Sequence, residues 1–453
     1  MTVVKLVQPC SIKGCCLPTA KGPVPIIIPE KTTLEPVLVR ELCQSIGHIP
    51  ISIFRLVSDL WLHITCKPKR PSWDLQTTII MSILQAARDQ SMANSLGFWR
   101  LVLVTPRIFT PRNCTIEDGS FYAKHRGLCG ILKQADADED GTRLIQAEWM
   151  LANPGQKQSH KDSIKHNQFW WNSKNDKKTI LYIHGGGFCT MNAQTYRSLT
   201  YKLSKTTHRK LLAVNYRLSP EVRFPGQLYD AVQTFFHLID EGLGYKAENI
   251  LLMGDSAGAG LCLAMMLYLR DHGLPQPEGA VLLSPWVDMT YSYPSWNDAS
   301  LYDYLPPRPK ASHHLNPALF YLHPDQFDSL IRHPYVSPIF TDHFEHLPPM
   351  LIQSGGCDTL RDEIRDIASK ISASKTTIVY YEEYEDMVHV FQALPFCRSR
   401  EAIESIGWWT KAGIALIQES WKRSSLQNSS NHCQAEDKEL VTSYKRRGRS
   451  IPG

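Results

Sequence analysis

In "ILLMGDSAGAGLCLAMMLYLR" (250–270) an apolar run stops at Gly-Asp-Ser-Ala-Gly, and a second, longer apolar run follows. A serine with glycines two positions before and after it, set between a strand-like and a helix-like segment, implies a turn of unusual sharpness. Small neighbours are what let the two elements approach that closely. Such a turn pushes the hydroxyl of Ser256 outward at the carboxyl end of a sheet, where it can act as a nucleophile. Alone, the pattern is equally a tight turn. Upstream, however, "LYIHGGGF" sets His184, Gly185, Gly186 and Gly187 directly behind another strand-like run. Consecutive glycines let backbone N–H groups converge on one point. With the N–H of Ala257, those of Gly185 and Gly186 are placed to hold a developing oxyanion.

A serine hydroxyl is a poor nucleophile until a base takes its proton, and imidazole is the usual base near neutral pH. In a sheet of this kind the base belongs on the loop after the last strand, and its acidic orienter after the strand before. "MLIQSGGCDTLRDE" offers Asp358 at one strand end, and "TTIVYYEEYEDMVHVF" offers His389 just beyond the next. The rivals fit less well. Asp362 and Glu363 fall within a helix start, where they cap or pair. Asp386 is near His389 in sequence but not at a strand end. His184 belongs to the glycine loop, and His313 and His314 to an irregular stretch. The reading is therefore Ser256 as nucleophile, His389 as base and Asp358 as orienter, with Gly185, Gly186 and Ala257 as the oxyanion donors.

These residues need a scaffold, and the chain from about Thr142 onward supplies one. Strand-like runs "RLIQAEWML", "TILYIHG", "KLLAVNY", "ILLMG", "AVLLSPW", "PMLIQSG" and "TTIVYYEEY" alternate with helix-like stretches such as 225–240 and 359–372. Short apolar strands between helices predict an α/β architecture, with a mainly parallel central sheet and helices on both faces. Residues 289–347, rich in Pro, Tyr and His, break the alternation. An insertion after the strand-like run "AVLLSPW" falls over the serine's side of the sheet, as a cap or pocket wall.

The blocks "HGGGF", "NYRLSPE", "FPGQLYDAV", "GDSAG", "DTLRDE" and "HVF", in this order between His184 and Phe391, resemble the hormone-sensitive-lipase-like branch of the α/β-hydrolases. The similarity covers about residues 140–422. "YPSW" and "HPYVSPIF" are most similar to the fungal steryl acetyl hydrolase and arylacetamide deacetylase side. The resemblance implies an α/β-hydrolase fold with a mostly helical cap. It also implies hydrolysis of a carboxylic ester through an acyl-enzyme on Ser256, with no metal and no organic cofactor. The substrate it implies is a small hydrophobic ester, a short acyl group such as acetyl on a hydrophobic alcohol. A lipase-like preference for longer chains is the alternative within the same chemistry. A non-catalytic small-molecule receptor is the alternative outside it, and the presence of His389 argues against that. The expected organisation is an N-terminal extension over 1–70 and a hydrolase domain over 71–422. Cap parts come from about 71–140 and 289–347, with Trp73, Tyr293, Trp296, Tyr302 and Tyr304 as candidate pocket walls. A disordered polar and basic tail over 423–453 completes the chain.

Composition narrows the partners. The 453 residues carry a net charge of +5, with the basic residues spread except for Lys445, Arg446, Arg447 and Arg449. That is too mild and too dispersed for a nucleic-acid protein. The cysteines include no CxxC pair and read as reduced thiols of an intracellular protein, cytoplasmic or at the endoplasmic-reticulum membrane surface. The first residues lack the sustained apolar core of a signal peptide. In "IPISIFRLVSDLWLHITC" (49–66), Arg55, Asp59 and His63 argue against a spanning helix. Ile53, Leu56, Val57, Leu60, Trp61 and Ile64 recur at helical spacing. The expectation is an amphipathic helix packed on the main domain, with peripheral contact to a membrane as its alternative role.

Overall fold

The computed structural model describes residues 36–91, 94–102, 111–152, 178–240, 242–310, 313 and 315–417. His314, the N-terminal cysteines and the 423–453 tail lie outside them.

Among the described residues nine strands form the sheet: β1 (Cys114–Asp118), β2 (Phe121–Tyr122), β3 (Leu144–Ala152), β4 (Thr179–Ile183), β5 (Lys210–Asn215), β6 (Ile250–Asp255), β7 (Gly279–Leu283), β8 (Met350–Gly355) and β9 (Val379–Tyr384). Their spatial order is β1-β3-β5-β4-β6-β7-β8-β9, with β2 paired to β3 off this path. From β5 to β9 every pairing is parallel, while β3 runs antiparallel to β5 and β1 antiparallel to β3. β4, β6, β7 and β8 are buried at every residue. That is why they read as unbroken apolar runs rather than alternating ones. β1 lies within the 71–140 stretch expected to contribute cap, and it extends the sheet.

Alternate residues of each strand serve opposite layers. Leu181, Ile183, Leu252 and Leu282 point to one face. There they meet the helices α6 (Gly226–Ile239), α7 (Ser256–Asp271) and α8 (Arg361–Ser372). Ile180, Tyr182, Leu251 and Val281 point to the other, against α5 (Arg197–Thr207) and α9 (Cys397–Trp408). In α7 every residue from Ala257 to Leu269 is buried, so this helix is apolar on all sides and not in a stripe. It holds the serine turn against the centre of the sheet.

Among the described residues four helices precede the sheet: α1 (Pro36–Gly47), α2 (Ile49–Thr65), α3 (Leu75–Ser91) and α4 (Leu96–Val102). The amphipathic helix forms as its periodicity predicts, but its polar face is the one turned inward. Arg55 pairs with Asp89 and donates to Gln85 Oε1 at 2.9 Å, His63 Nδ1 meets Thr78 Oγ1 at 2.7 Å, and Lys69 pairs with Asp59 at 2.9 Å. Ile53, Phe54, Val57, Trp61 and Ile64 face outward and are more than half exposed. No described helix is long and apolar enough to cross a membrane. Within the 289–347 insertion the chain forms short helical turns, among them Ser295–Asp298, Pro317–Tyr321 and Phe327–Leu330.

Candidate active site

β6 ends at Asp255 and α7 begins at Ser256, whose φ of 52° is left-handed. A non-glycine residue is held there only when its surroundings over-determine it. Those surroundings are visible. A Cβ on Gly258 would lie 2.1 Å from the carbonyl oxygen of Ile183 and 2.4 Å from that of His184. The helix start is thus pressed onto the end of β4. Of residues 254–258 only Ser256 keeps solvent exposure.

The glycine loop after β4 is tied to this turn through Asp255. Its carboxylate accepts the hydroxyls of Tyr182 at 2.5 Å and Tyr196 at 2.7 Å, and the backbone N–H of Gly185 at 3.0 Å. Burial pushes this carboxyl up to about 6, against the pull of those three hydrogen bonds. Assigning Gly185 as an oxyanion donor is therefore corrected: its N–H is spent on Asp255. No acceptor among the described residues takes the N–H of Gly186 or Gly187, and both have positive φ, 98° and 62°. The N–H of Ala257, in the first turn of α7, has no partner within the helix. These three are the donors left free. Sequence reasoning missed Gly187 because what removes Gly185 is a side chain from a distant strand. His184 is a structural residue, stacked on Tyr216 at 4.4 Å between ring centres, with burial pulling its pKa down to about 4.

Asp358 follows β8 and His389 follows β9, and both are buried. His389 Nδ1 lies 3.0 Å from Asp358 Oδ1, which also accepts the N–H of Leu360 at 2.8 Å. A Cβ on Gly355 would lie 2.1 Å from the carbonyl of Met387, so the two loops cross in close contact. Burial disfavours the charged imidazole. The carboxylate of Asp358, then those of Asp303 and Asp255, outweigh burial and raise the His389 pKa. With Nδ1 committed to a carboxylate, Nε2 is the nitrogen free to exchange a proton.

The rival acids have other partners. Asp386 is clasped by Arg70 and by the N–H of Ser72 at 3.0 Å. Glu363 accepts the N–H groups of Val287 and Asp288 and the Trp296 indole, anchoring the insertion. Asp362 accepts the N–H of Ser295 at 3.0 Å. His313 caps its own turn, at 3.2 Å from the N–H of Leu315. Of the candidate wall aromatics, Tyr304 stands beside the histidine, 6.2 Å between ring centres. Trp73 packs in a cluster with Met387, Val388 and Phe391. Among the described residues no group of three or more His, Cys, Asp or Glu is arranged to hold a metal. A residue that sequence reasoning did not single out also reaches the site: Asp303 accepts the backbone N–H of His389 at 3.2 Å.

Comparison with known proteins bears on the fold and the family. A family model described as an alpha/beta hydrolase fold matches residues 180–393. An acetyl-hydrolase of Streptomyces hygroscopicus is 34% identical over 239 residues, 52% of this chain and 76% of that protein. The crystal structure of EstE5 soaked with p-nitrophenyl butyrate superposes with a TM-score of 0.59 at 26% identity, over 76% of this chain and all of that one. An esterase of the bacterial hormone-sensitive lipase family shares the fold, with a TM-score of 0.54 at 24% identity over 80% of this chain and 98% of that one. A sheet with this strand order and a serine turn after β6, together with a relative matched over three-quarters of its length, place the chain in the α/β-hydrolase family as an ester-hydrolysing enzyme.

Proposed function

We propose that the enzyme cleaves esters through an acyl-enzyme on Ser256. His389 Nε2 takes the Oγ proton as Oγ attacks the ester carbonyl carbon, and the resulting oxyanion is received by the N–H groups of Gly186, Gly187 and Ala257. The C–O bond to the alcohol then breaks, and the alcohol leaves with the proton from His389. Water, deprotonated by the same nitrogen, attacks the acyl carbon and releases the acid and Ser256. Asp358 keeps the imidazole in the tautomer with hydrogen on Nδ1 and offsets the charge it gains. The observation that carries this reading is the buried 3.0 Å contact between Asp358 and His389 on adjoining strand-end loops.

The substrate we infer is a short acyl group, acetyl foremost, on a hydrophobic alcohol; the likeness to an acetyl-hydrolase supports the acyl side. The outward apolar face of α2 supports a second element of the reading, that the enzyme rests on a lipid surface where such alcohols partition. Among the described residues of α1 and α2 the acids point elsewhere: Glu41 binds Ser95, and Asp59 binds Lys69. Hydrolysis of p-nitrophenyl esters from acetate to palmitate, with Ser256→Ala alongside, tests the chemistry. Turnover that falls with acyl length and vanishes in the variant is expected. Turnover unchanged in Ser256→Ala would overturn the acyl-enzyme, and an optimum at long chains would overturn the acyl preference.

A further inference from the structure

Asp303 lies in the 289–347 insertion, and its side chain is fully buried. One carboxylate oxygen accepts the N–H of His389 at 3.2 Å and that of Tyr304 at 2.7 Å, and the other accepts the N–H of Thr359 at 2.7 Å. Thr359 is the residue after Asp358. A single carboxylate therefore grips both the loop that bears the acid and the loop that bears the base. Among the described residues no Lys or Arg pairs with it. A neutral side chain could satisfy backbone N–H groups here without burying a charge, so stability alone gives no reason for a carboxylate.

The segment that carries Asp303 is itself held from the N-terminal side. On α3, Gln85 Nε2 donates to the carbonyl of Tyr302 at 2.7 Å, and Arg88 Nη1 donates to those of Ser300 at 2.6 Å and Asp303 at 2.9 Å. A continuous line of hydrogen bonds thus runs from α3 through the insertion to the two loops.

We propose that Asp303 is a positioning residue of the esterase: it fixes the Asp358 and His389 backbones relative to one another, and its charge stabilises the imidazolium formed when Ser256 gives up its proton. This rests on the acyl-enzyme reading above. The charged or titratable groups acting on His389 are Asp358, Asp303 and Asp255, with the Tyr304 ring beside it. Those acting on Asp303 are Asp358 and His389, with the Tyr304 hydroxyl and the Cys357 thiol also facing it. Burial first, and Asp358 second, raise the Asp303 carboxyl, while His389 and the hydrogen bond from the N–H of Thr359 favour its charged form.

The test is Asp303→Asn in the full chain, with its melting curve, kcat and KM on p-nitrophenyl acetate, and the pH dependence of kcat/KM. The expected result is folded protein with kcat reduced about a hundredfold, as for a catalytic group displaced by about an ångström. KM should change little, and the acid limb of kcat/KM should move to lower pH, because a carboxylate that favoured the imidazolium is gone. A purely structural role would lower the melting temperature and leave that limb in place. Folded Asp303→Asn with wild-type kcat and an unmoved limb would overturn the proposal. Should that variant not fold, Arg88→Met releases the Ser300 and Asp303 carbonyls from α3. A drop in kcat at constant KM is then expected, and unchanged kcat overturns the proposal. Ser256→Ala run in parallel separates the two readings. If it abolishes turnover while Asp303→Asn does not, only this proposal falls; if it leaves turnover intact, the acyl-enzyme reading falls first.

Discussion

Exchanging Asp358 for asparagine keeps the shape of the side chain and removes its charge, and the contacts around it set the size of the effect. Oδ1 accepts both His389 Nδ1 and the N–H of Leu360, whereas Oδ2 is buried with no hydrogen-bond partner among the described residues. In the variant the Leu360 N–H holds the amide oxygen where Oδ1 was. That also preserves the tautomer in which Nε2 can accept the serine proton. The amide nitrogen is left in the unpartnered position, at a cost of about 1–3 kcal/mol in stability. What catalysis loses is mainly the charge opposite the imidazolium. A carboxylate at this range favours a charged partner by roughly 1–3 pKa units, each worth about 1.4 kcal/mol. The expected fall in kcat is therefore on the order of tenfold to a thousandfold. A flipped amide, which would impose the wrong tautomer, would lower it by about ten-thousandfold instead.

The assay is kcat on p-nitrophenyl acetate, corrected for the folded fraction, with Asp386→Asn as its control. Asp386 sits three residues before His389 yet bonds to Arg70 and Ser72, and its carbonyl accepts the Trp73 indole at 2.8 Å. Its loss should cost about 1.5–3 kcal/mol in stability, the usual worth of a hydrogen bond to a charged group, and little in turnover per folded molecule. Near-wild-type turnover in Asp358→Asn with collapse in Asp386→Asn would refute the assignment of the acid.

Because the base works only when neutral and nearby carboxylates raise its pKa, kcat/KM of the wild type should rise with pH along a limb lying above the ordinary imidazole value of 6.5. A limb below that value would mean burial, not Asp358, governs His389. Phe54→Glu with Trp61→Glu, both at outward positions on α2, should abolish co-sedimentation with anionic phospholipid vesicles and leave hydrolysis of soluble p-nitrophenyl acetate unchanged. Equal sedimentation of variant and wild type would remove the lipid-surface reading. Gly258→Ala would set a methyl 2.1 Å from the carbonyl oxygen of Ile183, backbone that cannot yield cheaply. The expected cost is several kcal/mol, read as insoluble protein or a large fall in melting temperature, and a stable, active variant would show that α7 can shift away from β4.

What the sequence discloses follows from how local each constraint is. β4, β6, β7 and β8 are buried on both faces, so their apolar runs mark them without any knowledge of neighbours. Ser256 and Asp358 are legible for the same reason, since they follow β6 and β8; His389 follows β9, which is only partly buried, and is marked by its place after the last strand-like run. β1, "CTIED", is only partly buried and has no comparable run; its pairing with β3 is what makes it a strand. In α2 the periodicity is real, but period alone says that a helix has two faces and not which one turns inward. Arg55, Asp59 and His63, spaced four apart, are the seam against α3, and their spacing was the available sign.

Asp303 shows where local pattern stops. Asp298, five residues earlier, has the same side chain in the same irregular stretch, yet its carboxylate is largely exposed and pairs with Arg361. Nothing in "WNDASLYDYLPP" separates the two. The difference arises because Gln85 and Arg88 on α3 draw the Ser300–Asp303 backbone down onto the loops after β8 and β9. That arrangement joins segments more than 200 residues apart in the chain. Strand ends can be read from the chain one at a time, because each strand needs only its own burial. A carboxylate that spans two strand-end loops exists as a feature only once both loops and the helix above them are in place.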